Sequence, residues 1–206
     1  MRLHYLPGSA AVAPHAALAE AGADYELVRA VRDDDGRATS EYLALNPSGR
    51  VPTLEDGALV LTESAGIVVH VADRFPDAAL LPPLGTDERS DALRWLFWLT
   101  NTVQPTMLHV LYPERYGTAG VEAQARADAA VLFDRVDAHL AGRDWLVGEA
   151  RSGADLFLFM VTRWARHLDP RGWDRPNLAA HYDRTAGLPG VARMLAEMGI
   201  EARPTV

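Results

Sequence analysis

Two hydrophobic periods alternate along the first eighty residues, and only one continues beyond them. Arg2 to Leu6 alternates polar and apolar with the period of two that a half-buried strand shows, and Pro7-Gly8 turns the chain. From Val12 to Ala21 the pattern is alanine-rich and helical, with Pro14 tolerated in the first turn and Gly22 as the stop. Tyr25 to Ala30 reads as a second strand, so the first thirty residues predict a strand–helix–strand unit with a parallel pair. Asp33-Asp34-Asp35-Gly36 is a solvated loop, and Ser40 to Leu45 predicts a short helix stopped at Asn46-Pro47. Asp56-Gly57, between Thr53-Leu54-Glu55 and Leu59-Val60-Leu61, signals a tight hairpin. A helix from Ala65 to Phe75 then runs to Pro76.

Leu80-Leu81-Pro82-Pro83-Leu84-Gly85 cannot continue a helix, and strand signals largely vanish after it. Asp91 to Leu111 predicts a long helix in which Trp95, Trp98, Leu99 and Val103 recur near helical spacing, the two tryptophans as packing residues. Glu122 to Leu140 carries Ala130, Phe133, Val136 and Leu140 on one face. Ser152-Gly153-Ala154-Asp155 opens the apolar run Leu156 to Trp164, close to a capping box. The expected organisation is an α/β unit over 1–79 with a thioredoxin-like element order, a linker over 80–86 and an all-helical unit over 87–206.

Composition narrows the chemistry. A chain of 206 residues, 49% hydrophobic and 23% charged, has the balance of a globular protein with a sizeable core. Its formal charge of −8 argues against nucleic acid or an anionic membrane as partner. No apolar run is long enough to span a bilayer and the N-terminus has no signal-like stretch, so a cytoplasmic location is expected. With no cysteine there is no disulfide, no thiolate metal site and no protein thiol nucleophile. All 20 basic residues are arginine, which removes Schiff-base chemistry and a phosphate-loop lysine. The seven histidines show no metal-ligand spacing, and His15 and His109 read as structural or surface residues.

The chemistry-bearing stretch is Arg50-Val51-Pro52-Thr53-Leu54, followed by Glu63-Ser64. A proline entering a strand cannot join the ladder, and a cis bond there leaves the N–H and C=O of Val51 free to pair with an extended peptide. Ser64, opening a helix, offers a hydroxyl and unpaired N–H groups to a carboxylate. Together they describe a site for a small acidic peptide.

These residues resemble those of the cytosolic glutathione transferases, particularly the bacterial beta-like members, and the resemblance runs over nearly the whole chain. It implies a glutathione site in which Val51 and Pro52 pair with the cysteinyl backbone, Glu63 and Ser64 hold the γ-glutamyl end and Arg50 meets the glycyl carboxylate. It also implies a homodimer and an electrophile pocket in the helical half, with Leu6, Gln104, Met107, Leu108 and Tyr112 as candidates. For thiol activation Ser9 stands at the mouth of the first helix, where it is either the thiolate's donor or a cap, and Tyr5 is the second hydroxyl candidate. The chain departs from the beta pattern at two places: the cysteine of that class falls on Ala10 and its histidine near Gln104. Beta-type redox chemistry is therefore not carried over. The expected reaction is attack of the glutathione thiolate on a small apolar electrophile, without a metal. A non-catalytic glutathione-binding protein, or a glutathione-dependent isomerase or dehalogenase, stands as the alternative.

Overall fold

The computed structural model describes residues 1–117 and 120–204 of the chain. Its elements are β1 (Arg2–Tyr5), α1 (Val12–Glu20), β2 (Glu26–Arg29), α2 (Ser40–Leu45), β3 (Thr53–Asp56), β4 (Leu59–Leu61) and α3 (Ser64–Arg74). Six helices follow: α4 (Asp87–Trp98), α5 (Gln104–Leu111), α6 (Val121–His139), α7 (Gly153–Trp164), α8 (Pro176–Ala186) and α9 (Pro189–Met198). They form two compact units, one of Met1–Leu80 with Pro189–Ile200, the other of Leu81–Leu188 with the residues from Glu201 onward.

The first unit is thioredoxin-like. Its sheet has the order β2-β1-β3-β4, with β1 parallel to β2 and the other pairs antiparallel. Leu3 sits opposite Leu27 on one side and Leu54 on the other, and Leu3 and Leu54 are both fully buried. Alternation sends Arg2 and His4 to the other face, where both reach Glu55, at 3.0 and 2.7 Å. Gly57 closes the β3–β4 turn with φ +61°, a conformation open to glycine without a Cβ clash.

Helix α1 is buried from Val12 to Ala19, with α3 and α9 packed on it. Its run of alanines lets these neighbours close in. At Gly190 the approach is so tight that a Cβ would stand 2.4 Å from the Glu20 nitrogen, and the Gly190 N–H donates to the Glu20 carboxylate at 2.5 Å. The sequence reading placed 189–200 with the helical half. The structure groups α9 with the sheet instead, because Gly190, Val191 and Met194 bury themselves against α1.

A polar cluster fastens the other end of that contact. His15 Nε2 lies 2.7 Å from Glu197 and 3.1 Å from the Tyr25 hydroxyl, which donates to the same carboxylate at 2.7 Å. Burial depresses His15 below its ordinary 6.5, outweighing the neighbouring carboxylate. Burial alone would raise the Glu197 carboxyl, but hydrogen bonds from Arg193, Tyr25 and His15 together draw it down to about 2.

The second unit is all-helical and centred on α7, every residue of which is buried, with Asp155, Thr162 and Arg163 as its polar or charged members. Its N-terminus is closed by a capping box: the Ser152 side chain caps the helix, and Asp155 accepts from the Ser152 N–H at 2.7 Å and its hydroxyl at 2.9 Å. The other Asp155 oxygen takes the Leu146 N–H and His181 Nε2, both at 2.9 Å. One fully buried carboxylate thus fastens α7 to α8 and to the loop after α6.

Replacing Asp155 by alanine leaves these donors buried without an acceptor, and urea unfolding is expected to show a loss of about 3–5 kcal/mol. Ser152→Ala removes the cap and is expected to cost about 1 kcal/mol in the same assay. The His15 cluster carries a pH dependence. Below about pH 6.5 an unfolded His15 binds a proton that the folded one refuses, and below about 4.5 the same holds for Glu197 down to about pH 2. Stability therefore falls as pH falls, and the urea midpoint of a His15→Gln variant is expected to change less than wild type between pH 6.5 and 5.

Candidate functional site

The stretch preceding β3 is positioned by side chains buried beneath it. The Tyr42 hydroxyl, on α2, donates to the Arg50 carbonyl at 2.7 Å and lies 2.9 Å from the Thr53 hydroxyl. Asn46 Nδ2 donates to the same two oxygens, at 2.7 and 3.0 Å, while its Oδ1 accepts from the Ser48 N–H and hydroxyl. The Arg32 guanidinium holds the Gly49 carbonyl at 2.7 Å. Gly49 has φ +64° and no room for a side chain, since a Cβ would meet Ala38 at 3.1 Å and Leu43 at 3.2 Å. The Asn46-Pro47 pair, legible in the sequence only as a helix stop, is part of a loop held from beneath by side-chain hydrogen bonds.

What this loop presents is unpaired. The Val51–Pro52 bond is cis, and neither backbone polar group of Val51 has a partner among the described residues. The Arg50 side chain is exposed and its guanidinium has no hydrogen-bond or ion-pair partner there either.

Helix α3 begins beside the α1 mouth. The Ser64 hydroxyl donates to the Ala10 carbonyl at 2.9 Å, fastening one helix start to the other. The N–H groups of Ser64, Ala65 and Gly66 have no partner among the described residues, and they sit at the positive end of an eleven-residue helix. Glu63 precedes them with φ +67°, in the left-handed region that a non-glycine residue occupies at a cost of about 1–3 kcal/mol. Nothing in the sequence signals that strain. It carries the exposed Glu63 side chain out at the base of α3.

Ser9 lies in the turn from β1 to α1. Its hydroxyl donates to the Leu6 carbonyl at 2.7 Å and accepts the Ala11 N–H at 3.2 Å. The side chain thus caps the turn, while the adjacent Ala10 N–H has no partner among the described residues. Tyr5, half-buried at the end of β1, has no hydrogen bond to its hydroxyl among them. Leu6 lines a cavity of about 380 Å³ with Arg29, Ala30, Val31 and Arg32.

In the helical unit, Gln104, Leu108 and Tyr112 recur at four-residue spacing and keep accessible surface. Met107, expected beside them, is fully buried and shares the inward face with Val103 and Val110. Its 100° offset from Leu108 turns it into the core. The predicted helix over Asp91–Leu111 is interrupted by a π-turn at Leu99–Val103. Pro105 explains it: a proline has no N–H to offer and its ring clashes with the carbonyl four residues back, so the helix widens just ahead of it. Gln104 follows the widened turn directly.

Unpaired backbone donors at Val51 and at the start of α3, with a free Arg50, suit a short acidic peptide whose carboxylates find N–H groups and a cation. No cluster of three metal-ligating side chains occurs among the described residues, and none of their helices is long and apolar enough to cross a membrane. The models of the glutathione S-transferase N-terminal and C-terminal domains match residues 1–73 and 99–189. Glutathione S-transferase GST-4.5 of Xanthomonas campestris pv. campestris is 34% identical over 80% of this chain and 82% of its own. GstA of Escherichia coli O157:H7 is 30% identical over 98% of this chain and 100% of its own. The structure of a sphingomonad glutathione S-transferase complexed with glutathione matches at a TM-score of 0.86 and 30% identity, over 98% of this chain and 100% of that one. A ternary complex of BphK, a bacterial glutathione S-transferase, matches at 0.87 and 30%, over 97% and 100%. The chain belongs to the glutathione S-transferase family.

Proposed function

We propose that this protein is a glutathione transferase that conjugates the glutathione thiolate to small apolar electrophiles. The observation that carries this reading is the set of unpaired donors around the Ser64–Ala10 hydrogen bond. The N–H groups at the start of α3 and the Ser64 oxygen take the γ-glutamyl carboxylate, and Glu63 takes the amine. Val51 pairs with the cysteinyl backbone beside Pro52, and Arg50 meets the glycyl carboxylate. Anchoring glutathione at both ends orients its sulfur, which turns a bimolecular encounter into a positioned one.

The free thiol, with a pKa near 8.5, is mostly protonated at neutral pH, so activation means favouring the thiolate. Ser9 and the Ala10 N–H supply the donors at the α1 mouth. Ser9 turns its hydroxyl from Leu6 to the sulfur, the Ala10 amide adds a backbone donor, and Tyr5 is the reserve hydroxyl. The thiolate then attacks the electrophile, for which Leu6 is the candidate contact in the sheet unit and Gln104, Leu108 and Tyr112 are the candidates in the helical unit. Exposed Leu59 and Val60 on the edge strand β4, and exposed Phe97 on α4, favour pairing with a second copy of the chain.

An ultraviolet titration with glutathione is expected to give a saturable thiolate absorbance well below the free thiol's pKa. The protein has no cysteine, so the signal belongs to the ligand. Ser9→Ala is expected to lower kcat/KM for conjugation about 10- to 100-fold, the effect of a charge-assisted hydrogen bond worth about 1.5–3 kcal/mol. Arg50→Ala is expected to raise the KM for glutathione with less change in kcat. A rate unaffected by Ser9→Ala removes its hydroxyl from the mechanism; binding without thiolate absorbance favours a non-catalytic glutathione-binding protein. Light scattering is expected to give twice the 22.5 kDa chain mass, and Phe97→Glu to shift that mass toward the monomer.

A further inference from the structure

The C-terminal end of β2 opens on a cavity of about 380 Å³ with walls of two kinds: Leu6, Ala30 and Val31 are apolar, Arg29 and Arg32 cationic. Strand pairing brings these residues together. Tyr5 is opposite Arg29 in the parallel register, and the Ala30 N–H donates to the Tyr5 carbonyl at 2.9 Å, which sets Leu6 beside the residues that follow β2. Leu6 also leads to the mouth of α1, since its carbonyl takes the Ser9 hydroxyl at 2.7 Å and the Ser9 N–H at 3.2 Å. Val31 is 65% exposed, an apolar side chain that the fold leaves uncovered.

Among the described residues no carboxylate comes within 4.0 Å of either guanidinium. Arg29 is exposed, and none of its side-chain donors has a partner there. Arg32 is half-buried; its Nη1 donates to the Gly49 carbonyl at 2.7 Å, and its Cζ lies 5.8 Å from the centre of the Tyr42 ring. Those contacts fix the side chain and leave its Nε and Nη2 unspent. Acids close by in the sequence are committed elsewhere. Asp33 accepts the Asp35 and Arg37 N–H groups, at 3.0 and 2.7 Å, and Asp35 pairs with Arg37 at 2.7 Å. Asp34 is exposed and pairs with neither arginine. The lining thus carries two positive charges and no negative one, in a chain whose formal charge is −8.

An exposed guanidinium adds little to binding by itself, because water and salt screen it. A ligand lying on Leu6, Ala30 and Val31 displaces that water, and its carboxylate then meets two sets of forked donors in a drier place. We propose that this cavity is an anion subsite of the electrophile site: Arg29, with the free edge of Arg32, takes a carboxylate that an apolar electrophile carries away from its reacting carbon. This rests on the conjugation reading, in which Leu6 is the sheet unit's contact with the electrophile. The reaction is unchanged: the thiolate sulfur forms a bond to the carbon bearing the leaving group, whose bond breaks and which departs with the electron pair. The carboxylate takes no part in bond making.

The test compares a chloronitrobenzoate with the corresponding chloronitrobenzamide, which keeps the leaving group and removes the charge, each rate being divided by the uncatalysed rate with glutathione. Wild type is expected to show an acid-to-amide ratio of kcat/KM of about 10, falling to about one in Arg29→Gln and below one in Arg29→Glu. The exposed position of Arg29 lets both variants fold, which near-ultraviolet circular dichroism checks. A ratio near one in wild type, or one that survives Arg29→Glu, overturns the proposal while leaving conjugation intact. Equal losses for both electrophiles with a raised glutathione KM assign the cation to a carboxylate of glutathione, and also overturn it. If neither compound is conjugated, calorimetric titration with the benzoate decides. Binding that Arg29→Gln abolishes supports the subsite although conjugation fails; no binding to wild type, or binding that Arg29→Glu leaves intact, rejects it.

Discussion

A buried carboxylate with every lone pair occupied is the constraint around which the helical unit is arranged. Asp155 sits without solvent at the head of α7 and receives donors from Ser152, Leu146 and His181. Such a charge is tolerable only when its partners are all in place, so the loop before α7, the chain after α6 and helix α8 must converge on one point. The opposite end of the same helix shows the reverse condition. Arg163 is buried with its Nε on the Glu201 carbonyl at 2.9 Å and no carboxylate in ion-pair contact among the described residues.

The first unit follows the same logic with backbone groups. Tyr42 and Asn46 spend their donors on the Arg50 carbonyl and the Thr53 hydroxyl. That rigidity leaves Val51 and Arg50 facing outward with nothing to bond. Ser64 spends its proton on Ala10, and what remains at the start of α3 is three N–H groups and a helix dipole. The site is thus assembled from what the fold leaves unsatisfied, and the saturated groups beneath are what keep it in place.

Much of this was legible in the chain. Alternation in Arg2–Leu6, the Asp56-Gly57 turn and the Pro52 strand start specified the sheet, because each is a local signal with a local cause. Ser152 and Asp155 announced the cap for the same reason. Features that depend on distant partners were not legible. The positive φ of Glu63 and the fully buried turn of Met107 are consequences of packing that no short window encodes, whereas the Ser9 hydroxyl bonds Leu6 three residues back, in the capping role the sequence had left open beside catalysis. The π-turn had a visible cause in Pro105, but a proline predicts only that the helix is disturbed, and not that it widens rather than ends. That Arg29 and Arg163 go without a carboxylate partner among the described residues was invisible, since twenty arginines look alike until the carboxylates have been placed.

The position of α9 bears on how the molecule comes to exist. The sheet unit takes in residues 1–80 and then 189–200, so its two parts are separated by more than a hundred residues of chain. During synthesis the ribosome delivers the four strands, and the helices α1 to α3 that accompany them, long before the segment that covers α1. Until that segment emerges, alanines that end up dry face water, while residues 81–188 of the helical unit are already made. The unit begun earliest is therefore completed only after nearly all of the helical unit has been made, and the helical unit in turn takes its last contacts from the stretch that begins at Glu201.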